Sequence, residues 1–241
     1  MTIKTPITRS SLGDEVYRVL WQRILDRRLR AGEKLSDLRL SDELGVSRTP
    51  VREALQRLVQ DGIARAEPNR GFYVASFAPD DVAEIYDIRA ALEVMALRIA
   101  APFFAAEELR QDLAELDRIE TRLAEAETSD ALLAAADDFL ESDRAFHRRL
   151  VERADRKRLA ALVEGLWAQI AVFQQAGSYL PSLVRQSVAD HRAMIHALIE
   201  GDHAAAVARL ERHIKEVKAR VLADVAAGLD DHASTTKGVA S

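Results

Sequence analysis

Gly45-Val46-Ser47-Arg48-Thr49-Pro50-Val51-Arg52-Glu53-Ala54-Leu55 joins a tight turn to a helix whose first turns carry two arginines and a threonine. Gly45 takes positive φ without a Cβ clash and so stops the helix before it. Ser47 or Thr49 offers a hydroxyl cap, and Pro50 suits a first helical turn. Reading outward, Val16, Leu20, Ile24 and Leu25 form an apolar stripe on a helix predicted over 12–29. A short helix is predicted over 36–44 and a third over 47–61, closed by Gly62. Apolar runs at 63–66 and 72–75 flank Pro68-Asn69-Arg70-Gly71, the pattern of strand, turn and strand. Three helices followed by a β-hairpin make a winged helix-turn-helix.

In the third helix Val51, Leu55 and Leu58 recur at helical spacing and are expected in the domain core. Arg48, Arg52 and Gln56 form a neighbouring row spaced by four, and Thr49 lies opposite the core. The planar fork of arginine matches the O6 and N7 acceptors of guanine, with roughly 1–3 kcal/mol of discrimination for each good bidentate contact. Hydroxyls such as that of Ser47, and helix N-termini generally, suit phosphates. Arg39 on the preceding helix and Asn69, Arg70 and Gly71 at the wing tip are placed to reach the backbone or minor groove. Taken alone, the arginine row reads equally as a solvated basic face. Charge tips the balance. Residues 1–76 hold 14 Lys and Arg against 10 Asp and Glu, a net +4, while the rest holds 20 against 29, a net −9. A basic first third on an acidic body suits a module for double-stranded DNA joined to something else.

The remainder is read as helical. The 241 residues are enough for two modest domains, and 48% are hydrophobic. Helices are predicted near 80–101, 106–127, 130–153, 156–176, 181–200 and 202–228, separated at Pro102, Ser129, Asp155, Pro181 and Gly201. Short connections imply antiparallel neighbours. The expected fold class is therefore mostly α: an N-terminal winged helix-turn-helix plus a C-terminal all-helical antiparallel bundle. The expected boundaries are a flexible 1–10, the winged domain at 11–76, a linker at 77–80, the bundle at 81–228 and a disordered polar tail at 229–241. The absence of cysteine excludes disulfides, thiolate metal sites and cysteine nucleophiles. No apolar leader and no run of about 18 apolar residues occurs, so a soluble cytoplasmic protein without a membrane partner is expected.

Three of the six histidines fall on apolar stripes. Leu140, Asp143, His147 and Leu150 share one helical face; Val184, Val188, His191, Ile195 and Leu198 share another; Ala206, Leu210, His213, Val217 and Val221 share a third. One carboxylate and three imidazoles are thus expected to point inward from three helices. Any one inward histidine is more often a satisfied core residue. Burying all four groups unpaired costs several kcal/mol, whereas convergence on a divalent ion satisfies them together, and this donor set suits Zn, Ni or Mn. His196 lies off its apolar stripe, and His203 follows a helix break.

Leu29-Arg30-Ala31-Gly32-Glu33-Lys34-Leu35, the stretch Leu44 to Leu55 and Pro68-Asn69-Arg70-Gly71 resemble the GntR family of bacterial transcription regulators. That resemblance implies operator contacts by Arg39, Arg48, Thr49, Arg52 and the wing glycine Gly71. Ile85 to Glu93, Asp143-Arg144-Ala145-Phe146-His147, and Asp190-His191 through Gly201-Asp202 to His213-Ile214 resemble the FadR subfamily, whose helical ligand domain is called FCD. It implies Asp143, His147, His191 and His213 as metal ligands, with open coordination positions accepting the carboxylate of a small organic acid. Arg89 is a candidate to pair with that carboxylate, and a salt bridge with Glu93 is its alternative. The chain departs from the family at Asp155-Arg156-Lys157-Arg158, where Asn-Pro is common.

The resulting expectation is a non-enzymatic, homodimeric regulator, a repressor more than an activator, that binds a palindromic operator and responds to a small acid. Two alternatives stand beside it. One is a metal-dependent enzyme acting on a small organic acid; the other is a regulator whose metal is structural or is itself the sensed ligand.

Overall fold

The computed structural model describes residues 11–26, 28–176 and 181–236. The N-terminal segment expected to be flexible, 1–10, and the last expected tail residues, 237–241, lie outside the described residues. The chain divides into two units, of which the first holds residues up to Phe77 together with Trp167–Ala176.

In the first unit α1 (Leu12–Leu25) starts at a capping box. Ser11 Oγ accepts from the Asp14 amide at 3.1 Å, and Asp14 accepts from the Ser11 amide at 2.9 Å. Val16, Leu20 and Ile24 are buried as expected. The helix stops at Leu25 rather than 29, yet Leu29 still packs into the core. A strand β1 (Lys34–Leu35) follows, then α2 (Asp37–Leu44), capped by Ser36. Gly45 at φ +66° closes α2, and the Val46 amide donates back to the Ser41 carbonyl. Helix α3 (Arg48–Gln60) then begins at once, with Val51, Leu55 and Leu58 fully buried.

The wing is β2 (Ala64–Glu67) and β3 (Gly71–Val74), one residue beyond and one before their expected starts respectively. The strand β1 was not expected. It adds a third member to an antiparallel sheet of order β1-β3-β2, with Leu35 opposite Phe72. Two residues carry too short a pattern for periodicity to register. The core joins α1, α2 and α3 to this sheet.

The second unit contains α4 (Pro79–Ala100), a 3-10 turn (Ala101–Phe103), α5 (Ala106–Glu125), α6 (Ser129–Arg153), α8 (Pro181–Ile199) and α9 (His203–Thr236). Pro79 and Asp80, expected in the linker, form the first turn of α4. Helix α4 packs on α6 and α9, α5 on α6 and α8, and α8 on α9. Helix α9 continues to Thr236, past the expected end at 228. Asp155 takes φ +48° just beyond α6, in the segment that departs from the family pattern. Aspartate tolerates that left-handed conformation better than most residues do.

The second half of α7 (Lys157–Ala176) groups with the first unit, where Ala168 and Val172 pack against the winged core. The sequence places α7 wholly in the bundle. Leu159, Val163, Trp167, Ile170 and Ala171 are all buried, and an apolar pattern of this kind says that a helix has partners without naming them.

Candidate functional site

The first candidate site is the exposed start of α3. The left-handed turn at Gly45 sets the helix axis, and the buried Val51, Leu55 and Leu58 fix its rotation. Ser47, Arg48, Thr49 and Arg52 are consequently left in solvent. Ser47 occupies the N-cap position but makes no capping bond, contrary to the expectation of a hydroxyl cap. Both arginines meet one carboxylate. The Arg48 guanidinium donates to Asp37 Oδ2 at 2.9 Å and Oδ1 at 3.1 Å, and Arg52 Nε lies 3.8 Å from Oδ2. The hydrogen bond from Arg48 holds the Asp37 carboxyl below its usual range. Arg39 pairs with Glu33 at 3.0 Å and Glu43 at 3.5 Å.

At the wing tip Asn69 at φ +60° and Gly71 at φ +101° make the reversal. Only glycine sits in the latter conformation without strain. Asn69 and Arg70 are exposed, and Arg70 lies 3.8 Å from Glu67. The acidic partners of the arginines are the part that sequence reasoning missed. Pairing across a turn depends on helix angles, which spacing alone does not reveal.

The second candidate site is internal to the bundle. Asp143 and His147 come from α6, His191 from α8 and His213 from α9, and all four are buried. They sit there because each occupies an apolar stripe, as the 3.6-residue period requires. Asp143 Oδ1 lies 3.3 Å from His191 Nε2, 3.7 Å from His147 Nε2 and 4.0 Å from His213 Nε2. The two nitrogens of His147 and His191 are 3.2 Å apart. One donor atom from each of the four residues lies within 4.8 Å of the others. Donors bound at about 2.0–2.2 Å to one ion are separated by roughly 3–4 Å, so these four groups fit a divalent cation.

Electrostatics favour the same reading. Burial, helped by the charges of neighbouring groups, pushes His191 well below its usual value and outweighs the Asp190 hydrogen bond to lower His213 as well. Both imidazoles are therefore neutral, the form that ligates. The aromatic rings of Phe139 and Phe146 lie 5.8 Å and 5.2 Å from the His191 ring and shield it.

Further charged groups surround the donors. Arg89 and Glu93 on α4 are both buried, and Arg89 Nε donates to Glu93 Oε1 at 2.9 Å. This is the salt bridge that was the alternative for Arg89. Glu93 Oε2 meets His147 Nδ1 at 2.6 Å, and Asp190 Oδ2 meets His213 Nδ1 at 3.3 Å. Burial raises the Glu93 carboxyl, but Arg89 and His147 together overcome it and hold the group at about 2. Desolvation pushes the buried Tyr86 hydroxyl, whose ring lies 5.7 Å from the Arg89 guanidinium, up to about 12.

The roles of Glu93 beside His147 and of Asp190 beside His213 were missed from sequence. Glu93 had a signal: Val82, Tyr86, Arg89, Glu93 and Leu97 form an inward stripe with charged residues inside it. Asp190 had none, since it lies off the His191 stripe.

Residues 84–216 match the FCD domain, and residues 12–74 match the family described as bacterial regulatory proteins, gntR family. The chain is 28% identical over 86% of its length, and 88% of the relative's, to the "Probable D-xylose utilization operon transcriptional repressor" of Paenarthrobacter nicotinovorans. It is 30% identical to the uncharacterized HTH-type transcriptional regulator YdhC of Bacillus subtilis, a match that spans 62% of this chain and 64% of YdhC. Among solved structures, Escherichia coli McbR/YncC superposes with a TM-score of 0.68 at 26% identity, over 88% of this chain and 98% of that one.

Proposed function

The chain belongs to the gntR family of bacterial regulatory proteins and carries an FCD domain, which makes it a DNA-binding transcriptional regulator of that type, and on that premise we propose a metal-dependent, acid-sensing repressor. The observation that carries the reading is the convergence of Asp143, His147, His191 and His213 inside the FCD region. A divalent cation held by these four residues would supply positive charge for a carboxylate. The chain's own residues do the rest. Neutral His191 and His213 present nitrogen lone pairs, Asp143 supplies the negative charge, and Arg89 adds a guanidinium for the acid's carboxylate. Zn, Ni and Mn all suit this donor set.

At the other site, Arg48, Arg52 and Thr49 read base edges in the major groove while Ser47 and Arg39 take phosphates. Asn69, Arg70 and Gly71 contact the flanking backbone or minor groove. Two copies bind the two halves of a palindrome, so the operator's symmetry mirrors that of a homodimer. The acid acts through a difference in its affinity for the DNA-competent and incompetent states. The Paenarthrobacter relative, a probable repressor, supports repression over activation. The families matched and the relatives compared are regulators, not enzymes, and the enzyme alternative is left without support.

The test has three arms. Duplexes are selected from a random pool by the purified protein, its mass in solution is measured, and metal-loaded protein is screened against small carboxylates by thermal shift. A palindromic consensus, a dimer, and an acid that both raises Tm and weakens DNA binding are expected. Loaded protein that ignores every acid while chelation melts it would turn the reading toward a structural ion. Protein that takes up no metal would end the metal reading altogether.

A further inference from the structure

The carboxylate of Glu93 is divided between two partners. Oε1 accepts from Arg89 Nε at 2.9 Å, and Oε2 lies 2.6 Å from Nδ1 of His147. All three side chains are at most 1% exposed, so no water competes for these contacts. An ionised carboxylate has lone pairs and no hydrogen to give. A contact this short therefore places the imidazole hydrogen on Nδ1. In the neutral, ligating form of the ring the other nitrogen, Nε2, then carries no hydrogen, and it is the one that faces His191 Nε2 at 3.2 Å and Asp143 Oδ1 at 3.7 Å. Asp190 stands in the same relation to His213, at the longer distance of 3.3 Å and with a half-buried carboxylate.

We infer that Glu93 is a positioning residue for the metal centre: it locks His147 in the Nδ1–H form, turns the bare Nε2 toward the other donors, and is itself held in place by Arg89. The inference rests on the metal-centre reading above. A ligating histidine whose second nitrogen donates to a carboxylate has a fixed ring orientation and a more basic metal-facing nitrogen. Arg89 lies one helical turn before Glu93 on α4, so backbone and ion pair together fix which way the carboxylate points. An anion that draws the Arg89 guanidinium toward itself thereby acts on the carboxylate that orients His147.

Glu93→Gln tests the assignment because it keeps the volume and exchanges a pure acceptor for a side chain that also donates. An amide N–H facing Nδ1 selects the opposite tautomer and puts a hydrogen on Nε2, pointing into the site. Binding of Zn2+ and of Mn2+ to the full chain is measured by competition with a chelating indicator, and folding of each variant is checked by circular dichroism. The expected result is affinity about 10–100-fold weaker in Glu93→Gln, with part of it restored in Glu93→Asp and a smaller loss in Asp190→Asn. Nitrogen-15 spectra of the wild-type imidazoles without metal are expected to show His147 protonated on Nδ1. Equal affinity in folded Glu93→Gln and wild type overturns the inference while leaving the metal centre standing. A wild-type spectrum with the hydrogen on Nε2 overturns it even if the variant does not fold. Wild-type protein that binds neither ion removes the metal centre, and the role of Glu93 with it.

Discussion

Asp37→Asn is the substitution whose outcome follows most directly from the α3 geometry. In the free protein the Arg48 guanidinium is bound to both Asp37 oxygens, at 2.9 and 3.1 Å, and Arg52 lies 3.8 Å from one of them. The arginine side chains are 56% and 58% exposed, so these pairs sit in a solvent-like dielectric. Exposed pairs are worth about 0–1 kcal/mol. A bidentate arginine–guanine contact is worth roughly 1–3 kcal/mol. If Arg48 meets guanine as proposed, its transfer from Asp37 to DNA is favourable, and the carboxylate opposes it by no more than about 1 kcal/mol.

Removing that charge should tighten DNA binding up to about 5-fold. The opposing interaction is blind to base sequence, so a scrambled duplex should gain as much as the operator, leaving the specificity ratio unchanged. Arg48→Ala should do the reverse, weakening operator binding by about 5–30-fold, a net 1–2 kcal/mol after the released ion pair is subtracted. The assay is fluorescence anisotropy over a salt series, using an operator selected by the protein itself. The dependence of log K on log salt should steepen by up to about 0.9 in Asp37→Asn, because one anion fewer then faces the phosphate backbone. An Asp37→Asn variant that binds operator tenfold more weakly would refute this reasoning and make the carboxylate a guide that presents Arg48 to DNA.

Other expectations follow from the buried groups. His191→Ala should lower bound metal in elemental analysis and abolish any thermal shift by an acid, while DNA affinity without effector stays near wild type; equal metal in both proteins would contradict it. The metal-free bundle should lose stability on acidification. His191 and His213 have folded-state values below their usual 6.5, so the unfolded chain binds more protons; their contribution is complete above about pH 6.5 and fades as pH falls below it. Glu93, held at about 2 against its usual 4.5, adds a second loss between those values. Denaturation midpoints flat from pH 7 to pH 4 would count against the histidine assignments, and midpoints flat from about pH 4.5 down to about pH 2 would count against that of Glu93. Leu55→Ala, in the fully buried core face of α3, should cost the first unit about 2–5 kcal/mol by urea titration, and a cost under about 1 kcal/mol would mean that face is not packed as described.

How much of this was legible in the sequence depended on whether one helix carried the information. The core face of α3 and the inward stripes bearing Asp143, His147, His191 and His213 are properties of single helices, and periodicity reports them faithfully. Gly45 announced its turn for a similarly local reason. The Asp37–Arg48 pair, the Glu93–His147 contact and the Asp190–His213 contact each join side chains from different elements. They depend on how helices cross, and no local pattern encodes a crossing. Arg89 lies between these cases. Its partner Glu93 sits four residues away and was readable, while the second use of that carboxylate was not.

The two sites employ charge in opposite ways, and that difference bears on which can be switched. Around α3 every arginine has an acidic partner in high dielectric, so exchanging one partner for another costs little and DNA can compete. In the bundle the charges lie where an unpaired ion costs several kcal/mol, so Arg89, Glu93 and Asp143 tolerate only states in which each is matched. An acid bound there, as proposed, would add a negative charge to be met by Arg89 or by a cation that Asp143 and the three histidines would hold. Small polar ligands without a charge meet no such demand and gain no such partner. On the reading proposed above, the buried charge balance, more than the shape of any one contact, would favour a carboxylate over a neutral ligand.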